Sequence, residues 1–566
     1  MDVHFEILFY DGHGWRVHDV MPEERAALAM GHGLWRSGKY KAVRVVRERF
    51  EADRGVFSSF QIFHEGQKVE ARQQTSLMET EERPVKCWKM GDLYSYEGRR
   101  SIGRLLMRTL EAWRITPTEL LHHPAYYRRL DDSGTELQAA VQRVAVDQMD
   151  GGGSPVQERM REIFKLVDQA VGRLNEFWNA KRVPKVDPGD LDAAIAALAR
   201  EDERGFAFAA GLAQHFAAAE TMPDKLRQCL DMLQDDRPKW LLAVLDGMIA
   251  EMLPMKAVMP LLLQGAKGPR AELERLALLR HGKSSPEPGD GDGDVGRLNA
   301  ALAAGLLPDS VTALDSVLVK RIAQAGKMAD GGLLNELKAL AKIGRLCIDA
   351  LPETSEPRLR FEQALAVRCQ HLLTSHAISV YLADTEEAYD WLDRLVALEP
   401  YVFGRANKRE LANAILPILA GPEREKQLAR VDKQVMQRMQ RLAKLQRALE
   451  RSKFDPVQKD KMTYRCDVLC NRMLEESDFL KRFDATHAEA WEKALKLLHY
   501  LADVTFTEGK AAQSVRRQAR GYMRVGNFLE SCVQNTDDPV EGARQLKGLM
   551  ELMTAAGLSH QDTDAA

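Results

Sequence analysis

The sequence predicts a mainly α protein, a multi-helix bundle or irregular helical array, preceded by a small N-terminal α+β module of ββαββ order. Three observations predict it. Runs of β-branched and aromatic residues alternating with hairpin glycines are confined to residues 3–66. Beyond residue 90, apolar residues recur at helical spacing, punctuated by prolines that read as helix starts. The composition, 45% hydrophobic and 29% charged, is that of a folded globular chain.

At the N-terminus, HFEILFY and WRVHDV flank Asp11-Gly12-His13-Gly14, whose glycines supply the positive φ of a tight hairpin. A helix is expected from Pro22, tolerated in a first turn, to Ser37-Gly38, a glycine stop. YKAVRVVRERF and VFSSFQIF form a second hairpin around Asp53-Arg54-Gly55, completing the module over residues 1–66. Phe5, Ile7 and Phe9 alternate with Leu8 and Tyr10, so both sheet faces carry apolar side chains. One helix covers one face; the other is expected to pack on the helical body or on a partner.

Residues 67–84 are polar, lack periodicity and read as a linker. A helical segment over 85–150 contains Thr116-Pro117-Thr118-Glu119, an N-cap threonine, a proline at the first helical position and a glutamate at the third, together a capping box. The cluster Gly151–Pro155 separates it from a helical domain at 155–281, with breaks expected at Pro184, Pro188, Pro223, Pro238, Pro254 and Pro269. Residues 282–296, GKSSPEPGDGDGDVG, read as a flexible acidic Gly/Pro linker. Helical domains at 297–421 and 422–557 follow, then the polar tail SHQDTDAA. No repeat period emerges.

Lys+Arg of 80 against Asp+Glu of 83, with a pI near 6.6, exerts no global pull on nucleic acid or anionic membrane. Seven irregularly spaced cysteines suit reduced thiols in a cytoplasm better than a disulfide framework. The N-terminus opens on an acid and lacks a signal-like apolar stretch, and no run of about 18 apolar residues occurs. The expected location is cytoplasmic, without a membrane partner.

Motifs for chemistry fail on inspection. ALLRHGKSS at 277–285 lacks the first glycine of a phosphate loop and follows a helical run instead of a strand. Asp290, Asp292 and Asp294 resemble a calcium loop, but Val295 and Ala301 occupy the positions of its glycine and bidentate glutamate. Glu119-Leu120-Leu121-His122 has the Glu-x-x-His spacing of di-iron bundles without a second copy. Cys466 and Cys470 sit four apart on a helix without two further zinc ligands, and read as buried apolar thiols. No nucleophile is paired with a base, and no metal or cofactor is predicted. The sequence points away from an enzyme while leaving a dispersed site open.

The candidate partner-binding residues are basic. In the stretch 424–453, Arg438, Arg441, Lys444, Arg447 and Arg451 accompany Leu428, Val435, Leu442 and Leu449, which recur every seven residues as in a coiled-coil seam. Val431 and Leu445 take the companion position, where Arg438 interrupts the seam. Packing within the bundle is favoured over docking of an acidic partner or RNA, because seven-residue spacing also fits ordinary helix packing, and the lack of aromatics that stack on bases counts further against RNA. A second cluster, Arg405, Lys408 and Arg409, opens a helix where positive charge opposes the macrodipole, and so calls for an acidic neighbour in the fold.

Residues from about 360 to 417, with FEQALAVRCQHLLTSHAISVYL and then GRANKRELANAILPIL, resemble an uncharacterised helical module of bacterial signalling regulators. The N-terminal unit with KAVRVVRERF also looks like a bacterial module of unknown function. The first resemblance implies a regulatory setting and carries no site residues. The expected function is a non-enzymatic interaction or scaffold protein of bacterial signalling with protein partners. RNA binding through 424–453 and an enzyme with a motif-less site are the alternatives, and homo-oligomerisation is left open.

Overall fold

A computed structural model of the protein describes residues 3–10, 15–21, 23–51, 56–66, 84–133, 136–148, 156–284, 293–525, 528–533 and 539–559. The chain forms two compact units, Met1–Glu81 and Glu82–Ala566. In the first, strands β1 (Val3–Tyr10), β2 (Trp15–Met21), β3 (Ala42–Glu51) and β4 (Val56–Gly66) make one antiparallel sheet in the order β2-β1-β3-β4. The predicted hairpins are therefore the β1–β2 and β3–β4 pairs. Their turns at 11–14 and 53–55, and Pro22, lie outside the described residues. Ile7 stands opposite Val45, and the two join Phe5 and the helix residue Ala27 in the core of the unit.

The helix Glu24–Arg36 comes very close to the sheet at Gly31, where a Cβ would lie 2.8 Å from Val45 Cγ2. It stops where the sequence predicts, at Ser37, followed by Gly38 at φ +66°. On the opposite sheet face Leu8 is buried as well.

Among the described residues, strands occur in the N-terminal module and none in the second unit. The predicted segments 85–150, 155–281, 297–421 and 422–557 all belong to this unit, and one apolar core runs through it from Leu174 to Leu558. Pro223 and Pro269 open helices at their first turns and Pro238 caps one, as read from the sequence. Pro184, Pro188 and Pro254 lie in connections. No single helix among the described residues is long and apolar enough to cross a membrane.

Two sequence expectations need correction. The basic stretch 424–453 is not one helix: Pro422–Leu428 ends at Leu428, and Val435–Arg451 begins after a break. Asp432 holds the break, accepting from the Gln434 N–H at 2.8 Å and from Arg438 at 2.6 Å. The seven-residue spacing of Leu428 and Val435 thus spans two elements. The acidic linker also ends early, because Asp294 is already the first residue of the helix Asp294–Ala303, where its charge complements the helix dipole and pairs with Arg297. Within 282–296, residues 285–292 lie outside the described residues, as do Asp290 and Asp292 of the calcium-like run, the linker stretch 67–83, the glycine cluster 151–155 and the tail 560–566.

Candidate functional site

The capping box forms as predicted: Thr116 Oγ1 accepts from the Glu119 N–H at 3.1 Å, and Glu119 Oε2 accepts from the Thr116 N–H at 2.8 Å. Its short helix, Pro117–His122, is then pinned on one side by remote partners. Glu119 Oε1 meets Lys225 Nζ at 2.6 Å with both side chains inaccessible to solvent or nearly so. Burial pushes the Glu119 carboxyl up, and Lys225 opposes that shift. Glu251 accepts from the Thr118 N–H and Oγ1–H, each at 2.8 Å, and from Arg99 Nε at 2.6 Å.

His122 donates from Nδ1 to the Thr118 carbonyl at 2.7 Å and stacks among Tyr94 and Phe206. Burial holds its imidazole down at about 3, with the Thr118 carbonyl opposing and Arg99 and Arg173 assisting. The unfolded chain takes up this proton as pH falls past the ordinary value of 6.5, whereas the folded chain does not until about 3. The associated stability is present above 6.5 and is lost on acidification. By pH 5 the loss is about 2 kcal/mol. Asp246 acts in the opposite sense: burial pushes it up to about 6, so its contribution is full below 3.8 and fades as pH rises through 6. Comparing urea midpoints at pH 7 and 5 for the wild type and His122→Phe isolates the imidazole, and the variant is expected to lose about 2 kcal/mol less on acidification.

The opposite side of the Pro117–His122 helix, Leu120 and Leu121, faces a cavity of about 120 Å³. A second wall is one face of Glu136–Asp147, with Leu137, Ala140, Val141 and Val144 at helical spacing. A third is the face of Val156–Asn179 carrying Ile163, Val167, Ala170, Val171 and Leu174. Gly98, Ser101 and Ile102 of Tyr96–Leu105 supply the fourth. Gly98 is required there, since a Cβ would fall 2.2 Å from the Asp92 carbonyl oxygen.

The remaining side is an extended strap, residues 84–88, from which Pro84, Val85 and Cys87 reach the cavity. Side chains of the surrounding helices hold it down. Ser101 Oγ accepts from the Val85 N–H at 3.2 Å, Gln148 Nε2 donates to the Val85 carbonyl at 2.9 Å, and Arg159 Nη2 donates to the Cys87 carbonyl at 2.9 Å. The Arg159 guanidinium lies 4.8 Å from the Trp88 ring centroid, and Trp88 is 69% exposed. Val85 and Val146, on the same strap and on the adjacent helix, are exposed too. The wall is mostly hydrocarbon, with its polar groups, Gln148 and Arg159, near this rim. All seven cysteine thiols are pushed up by burial, which suppresses the thiolate form a nucleophile needs.

The predicted basic residues lie elsewhere in the unit. Arg438 pairs with Asp432, and Arg441 pairs with Asp390 at 2.7 Å and Asp393 at 2.6 Å while stacking on Tyr389. Lys408 pairs with the buried Glu399, the acidic neighbour its position called for, and Glu399 Oε1 also accepts from the Lys453 N–H at 2.9 Å. That carboxylate brings the end of the Val435–Arg451 helix to the start of Arg405–Ala420. Lys444, Arg451, Arg405 and Arg409 are exposed and Arg447 is half-buried. Beneath them Leu442, Leu445 and Leu449 are buried, Val435 is partly buried and Val431 is exposed. Leu442→Ala is expected to cost about 2–5 kcal/mol, whereas reversing Lys444, Arg447 and Arg451 together shifts each site by no more than about 0.5 kcal/mol. Denaturant midpoints of the two variants make the comparison.

Glu119 and His122 are committed to the contacts above, and no group of three or more candidate metal ligands occurs among the described residues. Residues 277–280 end a helix in which Arg280 pairs with Asp315, so the phosphate-loop resemblance has no strand before it. Nothing in the sequence singled out the cavity. Its signal is the set of small residues Gly98, Ser101, Ala140 and Ala170 on inward helix faces. Comparison with family models, curated proteins and solved structures returns no match.

Proposed function

We propose that the chain is a non-enzymatic regulatory interaction protein that works by taking up an apolar small molecule in the cavity walled by residues 84–174. The observation that carries this reading is the cavity itself, lined mostly by hydrocarbon, bordered by the 84–88 strap and rimmed by the exposed Trp88, Val85 and Val146. Apolar walls with a few polar groups at one end are the usual form of a small-molecule site. Further support comes from the buried acids, which are engaged in holding helices: Glu251 at Thr118, Asp246 at Ser310, Glu336 at Met328 and Asp467 at Lys510. The regulatory setting, in bacterial signalling with protein partners, rests on the resemblance of residues 360–417.

Native mass spectrometry of the full chain, purified without detergent, tests the reading. Wild type is expected to carry a bound hydrocarbon-bearing molecule, and Ala140→Phe, which fills the cavity, to carry none. A wild-type protein free of bound mass, or a mass that persists in Ala140→Phe, contradicts it.

A further inference from the structure

Resting on that reading, we propose that the ligand is an anionic amphiphile with one linear alkyl chain, its carboxylate at Arg159 and its chain running toward Leu174. The first argument is shape. Arg159 and Leu174 mark the two ends of the wall contributed by one helix. At 1.5 Å per residue they lie roughly 22 Å apart. The apolar lining follows this helix from Ile163 to Leu174, so a chain of methylenes laid along it keeps hydrocarbon contact over its length.

The second argument is charge. Arg159 is nearly buried, and three of its N–H groups are engaged: Nε with Gln148 Oε1 at 2.9 Å, Nη1 with Glu162 at 2.7 Å and Nη2 with the Cys87 carbonyl at 2.9 Å. A guanidinium carries five N–H donors, so two are left for an incoming anion. The Glu162 carboxylate is half exposed, which makes that ion pair weak and open to exchange with a ligand carboxylate. A cation at the rim of an otherwise hydrocarbon slot matches a head group and tail in that order. Because Arg159 also anchors the strap through Cys87, a bound head group would tighten the cover over its own chain.

Isothermal titration of the full-length protein with hexanoate, octanoate, decanoate and dodecanoate, each below its micelle concentration, tests the assignment, with octanol and decanol as uncharged controls. Affinity is expected to rise about fourfold per added methylene until the chain reaches Leu174. Decanoate is expected to bind at least about tenfold more tightly than decanol, the effect of one charge-assisted hydrogen bond. Arg159→Gln should erase that difference while the chain-length series survives. Gln148→Leu, which loosens the strap and keeps the cation, should retain the preference for carboxylate. Alkanols that bind as tightly as alkanoates, or a carboxylate preference that survives Arg159→Gln, would overturn the head-group assignment and leave the apolar site standing. Absence of binding by both series would overturn the apolar site as well.

Discussion

Lys225→Met is expected to lower the stability of the Glu82–Ala566 unit by about 3–5 kcal/mol, the usual cost of breaking a buried ion pair from one side. Lys225 Nζ sits 2.6 Å from Glu119 Oε1 and 2.7 Å from the Arg114 carbonyl oxygen. Arg114 adopts a left-handed conformation at φ +57° and closes one helix with its N–H, which donates to the Glu111 carbonyl, while Thr116 caps the next. Methionine fills the volume but leaves an acid with a burial-raised pKa and a carbonyl without their shared donor. Glu119→Gln combined with Lys225→Met removes the uncompensated charge and should recover part of the loss, as replacing both members of a buried pair generally does. Urea midpoints of the two variants decide the matter. Equal losses would mean that the cost is packing rather than charge.

Asp467→Ala should cost about 3 kcal/mol or more. Asp467 accepts from the Thr507 Oγ1–H at 2.9 Å, the Lys510 N–H at 2.8 Å and the Ala511 N–H at 3.2 Å, capping the helix Lys510–Met523 from another element. Its removal orphans buried donors at about 1–3 kcal/mol for each group left unsatisfied. Asp467→Asn keeps an acceptor and is expected to cost less. Gly509 gives an independent check of the same geometry, since its φ is +137° and a Cβ would come within 2.3 Å of Asp467 Oδ2. Gly509→Ala should therefore destabilise the same helix, seen as faster amide exchange across residues 510–523.

Local features were readable because their cause is local. The capping box at 116–119 and the stop at Gly38 each follow from residues within one turn of one another. What the sequence concealed depends on partners far along the chain. Glu119 reads as a capping residue, but its ion pair waits 106 residues away at Lys225. Arg438 looks like a flaw in a heptad seam, yet it holds the break before its own helix through Asp432. The basic residues of Val435–Arg451 are visible in the sequence, but the acids that meet Arg441, Asp390 and Asp393, stand on another helix.

The cavity was concealed for another reason. Helical periodicity shows which faces turn inward, and it is silent on whether inward faces meet without a gap. Leu137, Val141 and Val144 look like ordinary core from their spacing. Only their convergence with Ala170 and Gly98 leaves space between them.

Thermal unfolding of the full-length protein with and without n-octanol tests the binding role of the cavity most directly. A ligand that binds only the folded state stabilises it by about 2.7 kcal/mol at a hundred times its dissociation constant. Octanol is therefore expected to raise the wild-type transition in a saturable way and to leave that of Ala170→Phe, whose ring occupies the slot, unmoved. A wild-type transition that octanol leaves unchanged or lowers, or an equal rise in Ala170→Phe, would contradict the account.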